Sequence, residues 1–170
     1  MALPTLRQPQ KWIIITGAIL LTALLSLSGI LVWRHTHSRS IPKSITQQLL
    51  FPVYRINYLP PGFTLDRSSF QIKDNVLIFQ AINAKTGQNI AITESATPQK
   101  IDFPSFYQKS LSNVKNLQGQ VPYPTVTGKL NTNQRTTISI TPPSAWILMT
   151  TEANLDQAEI IRIAKGVHLQ

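Results

Sequence analysis

The side chains that could carry catalysis are few and scattered along this chain. Histidine, the commonest general base, occurs at His35, His37 and His168. His35 and His37 stand in a short polar linker, where a metal site would need further ligands, and His168 lies at the C-terminus, so none is the buried, oriented histidine that a serine hydrolase needs. Cysteine is absent, which excludes disulfides, thiol catalysis and thiolate metal sites. These residue types favour neither a hydrolase nor a metalloenzyme.

The acidic residues and the glycine pattern also lack a catalytic signature. Asp66 and Glu94 have no spacing that marks an acid–base couple of the kind found in glycosidases. The run Lys85-Thr86-Gly87 lacks the other glycines of a phosphate-binding loop and is typical of a hairpin tip. We therefore expect no enzyme activity, no catalytic, cofactor-binding or metal-ligating residue, and no cofactor.

Aromatic side chains are the remaining candidates for a binding site. Trp146 lies in the apolar run AWILMT, and we expect it to be largely buried in a central strand that is covered on both faces, with the C-terminal helix as the cover of one face. Tyr54, Tyr107 and Tyr123 could line a groove or fill a core. Sequence spacing alone leaves both alternatives open.

The charge distribution argues against a nucleic-acid partner. The net charge is +9, yet residues 44–170 carry eleven basic and seven acidic side chains with no basic run. A nucleic-acid surface needs a basic stripe or patch, and no RNA-binding aromatic motif accompanies these charges. Residues 1–43 hold five basic and no acidic side chains, which suits contact with lipid headgroups.

Residues 12–33 form an uninterrupted apolar run that predicts a transmembrane signal-anchor helix. As a helix the run spans about 33 Å, the thickness of a hydrocarbon core, with Trp12 and Trp33 at its two ends. A cleaved signal peptide, cut near Ser28-Gly29, is the alternative. Basic charge is balanced on the two flanks, so it does not orient the span. The predicted organisation is a basic tail at 1–11, the span at 12–33, a linker with a short helix at 34–49, and a domain at 50–170.

The chain after the span alternates between strand and helix patterns. Pro60-Pro61-Gly62 predicts a turn into a first strand. Strands are predicted at 63–71, directly after this turn, and at 76–82, 90–93, 135–141 and 145–150, with an extended edge or loop at 119–130. Helices are predicted over 44–50, over 103–117 with Asp102 as N-cap, and from about Leu155 with Asn154 as N-cap. This order predicts an α+β domain, an antiparallel sheet with helices packed on one face.

Two motifs resemble those of a known family. LPPGF at residues 59–63 matches an L-P-x-G-[FY] entry into a first long strand, and Trp146 precedes a closing helix whose apolar run is at residues 160–164. The chain thus resembles the small extracytoplasmic domain of unknown function of bacterial single-pass membrane proteins, including ectodomains of anti-sigma-factor-like proteins. The ending AKGVHL departs from that family's usual serine-leucine. The resemblance implies a cytoplasmic N-terminus and a C-terminal domain outside the cell membrane, and it carries over no catalytic residue.

These observations together predict a single-pass protein of the bacterial cell envelope. Its partners would be the lipid bilayer, through residues 12–33, and a protein, peptide or lipid that the domain binds or senses. The alternative is a structural subunit or scaffold of a larger membrane assembly. A concave apolar groove over the sheet would favour ligand binding, whereas a flat exposed apolar patch would favour assembly.

Overall fold

The computed structural model describes residues 41–170, which form a sheet domain with a few short helices. The elements in chain order are α1 (Lys43–Thr46), β1 (Tyr54–Ile56), β2 (Phe63–Lys73), β3 (Val76–Asn83), β4 (Asn89–Ala96), α2 (Phe103–Ser110), β5 (Leu111–Asn116), β6 (Thr125–Leu130), β7 (Thr136–Ile140), β8 (Ala145–Thr151), α3 (Gln157–Lys165) and β9 (Val167–Leu169). The predicted span at 12–33 lies outside these residues. No helix within them is long and apolar enough to cross a bilayer.

Seven strands form the main sheet, in the order β2-β3-β4-β8-β7-β6-β5, and β1 pairs with β9 in a separate ribbon. Every strand pair is antiparallel. Two meanders, β2 to β4 and β5 to β8, thus join where β4 pairs with β8. The predicted α+β class with an antiparallel sheet is confirmed.

Strict alternation along the central strands gives the sheet an inner and an outer face. Every second residue of β3, β4 and β8 is buried, and these residues form the inner face together with β7: Leu77, Phe79, Ala81, Ile90, Ile92, Glu94, Ile138, Ile140, Ala145, Ile147 and Met149. Successive strand residues point to opposite faces, so Trp146, Leu148 and Thr150 lie on the outer face.

The inner face is covered by α3 and by the chain that precedes β1. Ile160 and Ile163 of α3 join the core cluster, as do Phe51 and Val53. Ile41 and Leu49, from the segment that the sequence assigned to a linker, are buried in the same cluster. The side chain of Gln170 also bonds both backbone groups of Ile41. The packed domain therefore includes residues before position 50.

The predicted helix over 103–117 is wrong beyond Ser110. The chain leaves α2 at Leu111, which has extended φ and ψ, and continues as the edge strand β5 paired with β6. Leu111 and Val114 fit helical spacing, but strand pairing along the sheet edge overrides that local pattern. The predicted 44–50 helix is likewise shorter, at Lys43–Thr46.

The predictions for the turn after Leu59 and for the N-cap of α3 have different outcomes. The turn after Leu59 is confirmed: Gly62 has φ of 84°, and the Phe63 N–H donates to the Pro60 carbonyl at 3.0 Å. The N-cap of α3 is Asp156, which accepts from the Glu159 N–H at 2.7 Å, rather than Asn154. Both residue types cap helices well, so the sequence alone did not separate them.

Candidate functional site

Helix α2 packs on the outer face of the sheet, opposite α3. Phe103, Phe106 and Tyr107 recur at three- and four-residue spacing and form its packed stripe, and a proline stands in its first turn. The Tyr107 hydroxyl bonds the Ser139 hydroxyl at 2.8 Å, and Ser139 points outward between the inward-facing residues of β7. Helices thus lie on both faces, and the prediction that they pack on one face is wrong.

Trp146 lies beneath α2. Its ring meets those of Phe103 and Phe106 edge-on, with centroids 5.5 and 5.6 Å apart, and its indole N–H donates to the Ser139 hydroxyl at 2.7 Å. The side chain is only partly exposed. Most of the side chain is thus buried, but the prediction that the C-terminal helix covers it is wrong, because Ile147 takes the inward position and Trp146 the outward one beneath α2.

A groove runs between α2 and the end of the sheet formed by β5 and β6. It encloses about 380 Å³, within the range of small-ligand sites. We call it the α2 groove; its lining residues are Phe103, Pro104, Tyr107, Gln108, Val114, Asn116, Pro124, Val126 and Thr141. Most of this lining is apolar, and the polar members carry amides or a hydroxyl rather than a charge.

Strand β5 forms one wall of the α2 groove and is the last strand at this edge of the sheet. Within residues 41–170, no strand pairs with the outer side of β5. Val114 is 44% exposed at this edge. The strand has a bulge, where Asn113 adopts φ of 53° and the register with β6 shifts. Gly128 of β6 is needed opposite the bulge, since a Cβ there would lie 2.8 Å from the Ser112 carbonyl oxygen.

The three tyrosines divide between groove and core. Tyr107 lines the α2 groove and is buried. Tyr54 is buried in the core cluster and packs edge-on against Tyr123, with ring centroids 5.9 Å apart. Tyr123 is half-buried against that cluster and is not part of the groove. The alternatives left open by the sequence are thus resolved residue by residue.

The carboxylates of Asp66 and Glu94 lie on opposite faces of the sheet. Hydrogen bonds from the side chains of Ser68 and Gln80 lower the pKa of Asp66, which lies beside outward-facing Gln80. Glu94 is 1% exposed on the inner face, in register with Leu77 and Ile147. Burial raises the pKa of Glu94 to about 8, against the hydrogen bond from the Tyr54 N–H. The sequence pattern did not mark Glu94 as buried.

The remaining candidates from the sequence do not assemble into a site. His168 is exposed in β9, while His35 and His37 lie outside the described residues. Lys85-Thr86-Gly87 is a hairpin tip, closed by the Gly87 N–H donating to the Asn83 carbonyl at 2.8 Å. Among residues 41–170, no three histidine or acidic side chains cluster as a metal site would require.

Comparisons with family models, with curated proteins and with solved structures found no match for the chain. The resemblance to the extracytoplasmic family therefore rests on the LPPGF turn and on Trp146 with the closing helix at residues 160–164, and it stays a prediction.

Proposed function

We propose that the protein is a single-pass, membrane-anchored binding protein whose extracytoplasmic domain holds an extended segment of another polypeptide in the α2 groove. The observation that carries the proposal is the position of the groove: an apolar cavity of about 380 Å³ beside a sheet edge that no strand of residues 41–170 occupies. Apolar pockets next to an open strand are the recurring arrangement of domains that bind peptides by strand addition.

The lining of the groove favours a peptide over a lipid. Gln108 and Asn116 offer side-chain amides, which can donate to and accept from a peptide backbone, and Thr141 adds a hydroxyl. The free side of β5 offers backbone groups of the same kind. An acyl chain could use none of these groups, and their desolvation would oppose its binding.

The distribution of exposed apolar side chains favours a groove over a flat assembly surface. Among residues 41–170, the large exposed apolar side chains are Leu50, Ile101, Val114 and Leu169, which come from four separate segments. A scaffold or structural subunit would be expected to expose a contiguous apolar patch.

Anchorage and orientation complete the proposal. Residues 12–33 would span the cell membrane as the signal anchor, with residues 1–11 in the cytoplasm and the domain outside, an orientation taken from the family resemblance. The length and composition of the apolar run support the span. No catalytic step is assigned to any residue.

Selection of peptides by the full chain tests the proposal. The chain, purified in nanodiscs, would be offered a display library of random peptides of about ten residues. We expect enrichment on the wild type, and about a tenfold loss of affinity in Val114→Asp, because the new charge must be desolvated in the groove.

Leu50→Asp is the matched control for this experiment. It makes the same apolar-to-acidic change at a side chain that is 89% exposed and adjoins the β2–β3 turn instead of the groove. We expect it to bind the selected peptides as the wild type does. Failure of the wild type to enrich any peptide, or equal binding by Val114→Asp, would contradict the proposal.

A further inference from the structure

The edge strand β5 separates two cavities. Val114 and Asn116 line the α2 groove, whereas Asn113 and Lys115, which alternate with them, line a second cavity of about 180 Å³ on the inner side of the sheet. An added strand paired with β5 would show the same alternation. Its odd-numbered side chains would face one cavity and its even-numbered side chains the other.

The second cavity, which we call the lysine cavity, is basic. Its lining residues are Asn113, Lys115, Thr127, Gly128, Lys129, Thr136, Asn154, Leu155, Gln157 and Ile160. The Lys129 Nζ lies 2.8 Å from the Thr136 hydroxyl, which holds the ammonium group against the cavity wall. The lining contains no carboxylate. Asp156, next to Gln157, has its carboxylate bonded to the Glu159 N–H.

Most charged side chains in the half of the sheet around β5 are also basic, although one of them, Arg135, is paired with Glu152. Residues 103–151 contain four basic side chains and no acidic one. Asp102, the nearest carboxylate before them, bonds the Ser105 hydroxyl at the start of α2. The lysine cavity therefore complements acidic side chains, and the α2 groove complements apolar ones.

Resting on the function proposed above, we propose that the polypeptide bound by this domain is a segment with alternating apolar and acidic side chains, added to β5 as an eighth strand. Its apolar residues would fill the α2 groove. Its carboxylates would pair with Lys115 and Lys129 on the other side of β5. Backbone hydrogen bonds to the free side of β5 would hold the segment between the two cavities.

Two other occupants fit this charge pattern less well. A second copy of the domain paired through β5 would bring its own lysines to the same edge, and like charges across a strand pair are destabilising. Residues 1–40 of this chain contain no acidic side chain that could pair with the lysine cavity. Charge complementarity therefore favours a separate acidic partner.

Four synthetic peptides of about eight residues test the inference. One alternates valine with glutamate, one alternates valine with lysine, one alternates valine with threonine, and one holds the valines and glutamates in two blocks. Binding of each labelled peptide to the full chain in nanodiscs would be measured by fluorescence anisotropy at low and high salt. We expect the valine–glutamate alternation to bind about tenfold tighter than the other three, with the advantage shrinking as salt rises.

Two modifications, one of the protein and one of the peptide, test how the peptide binds. The double variant Lys115→Gln, Lys129→Gln should bind the valine–glutamate and valine–threonine peptides with equal affinity. It removes both charges of the lysine cavity and leaves the α2 groove unchanged. N-methylation of alternate residues removes the donors on one edge of a peptide strand. One methylated set should weaken binding about tenfold and the other should leave it unchanged, because only one edge of the added strand faces β5.

The outcomes separate this inference from the function on which it rests. If all three alternating peptides bind equally, or both methylated sets behave alike, the acidic-strand inference is overturned while peptide binding in the groove stands. If none of the designed peptides binds, the inference is overturned. The library selection then tests the proposed function independently. Dimerisation of the full chain that Val114→Asp abolishes would instead identify a second copy as the occupant.

Discussion

Glu94 should make the domain lose stability as the pH rises through the neutral range. The carboxyl lies on the inner face between Leu77 and Ile147 of the neighbouring strands, where burial raises its pKa from 4.5 to about 8. In the folded chain it therefore keeps its proton at pH values where the unfolded chain has released it. A raised folded-state pKa gives stability that is complete below 4.5 and lost as the pH rises to about 8.

The size of the effect follows from the difference between the two pKa values. Each unit of difference is worth about 1.4 kcal/mol, so a shift from 4.5 to about 8 removes about 5 kcal/mol from the free energy of unfolding. A small domain has about 5–15 kcal/mol in total. The loss is therefore a large fraction of what holds the sheet together.

Glu94→Gln isolates this contribution. The amide oxygen of glutamine can still accept the Tyr54 N–H, and the side chain has no proton to lose. Urea unfolding of the full chain, followed by near-ultraviolet circular dichroism, should give wild type and variant similar stability below pH 4.5. The variant should become the more stable by about 5 kcal/mol above pH 8. Parallel curves for the two proteins over this range would refute the assignment of a buried, protonated carboxyl.

The remaining predictions concern Trp146 and the apolar run between Trp12 and Trp33. Trp146→Ala should cost about 3 kcal/mol of unfolding free energy, the lower end of the range for large aromatic truncations, since the ring is half-buried beneath α2. Trp146→Phe should cost about 1 kcal/mol, mainly the bond to Ser139, and a negligible loss in Trp146→Ala would argue against this packing. The run bounded by Trp12 and Trp33 should keep the chain in the membrane during alkaline carbonate extraction at its full mass. A mature chain beginning near Gly29 would contradict the anchor.

The elements that could be predicted from the sequence are those in which the spacing of apolar residues itself shows which face is buried. β3, β4 and β8 carry long alternating or apolar runs, and the LPPGF turn has the proline and glycine that its backbone requires. Helix α3 has an apolar stripe that local spacing makes visible. These signals do not depend on what lies far away along the chain.

The errors arose where distant segments decide the outcome. Leu111 and Val114 continue the helical spacing of α2, and only pairing with β6 makes them a strand. Trp146 has apolar neighbours on both sides, so its face depends on where α2 and α3 dock. The α2 groove draws on four separate segments, at 103–108, 114–116, 124–126 and 141, none of which carries a motif of its own. Such a site cannot be found before the sheet order is known.

Hydrogen exchange along β5 tests the central claim most directly. The full chain in nanodiscs would be followed with and without a peptide from the library selection, with exchange read by amide position. The claim that an extended segment occupies the groove as an added strand predicts slower exchange, by about tenfold, at those amides of Leu111–Asn116 that point away from β6, since new backbone hydrogen bonds protect them. Protection confined to β2 at the other edge of the sheet, or none in β5 while the peptide is bound, would contradict it.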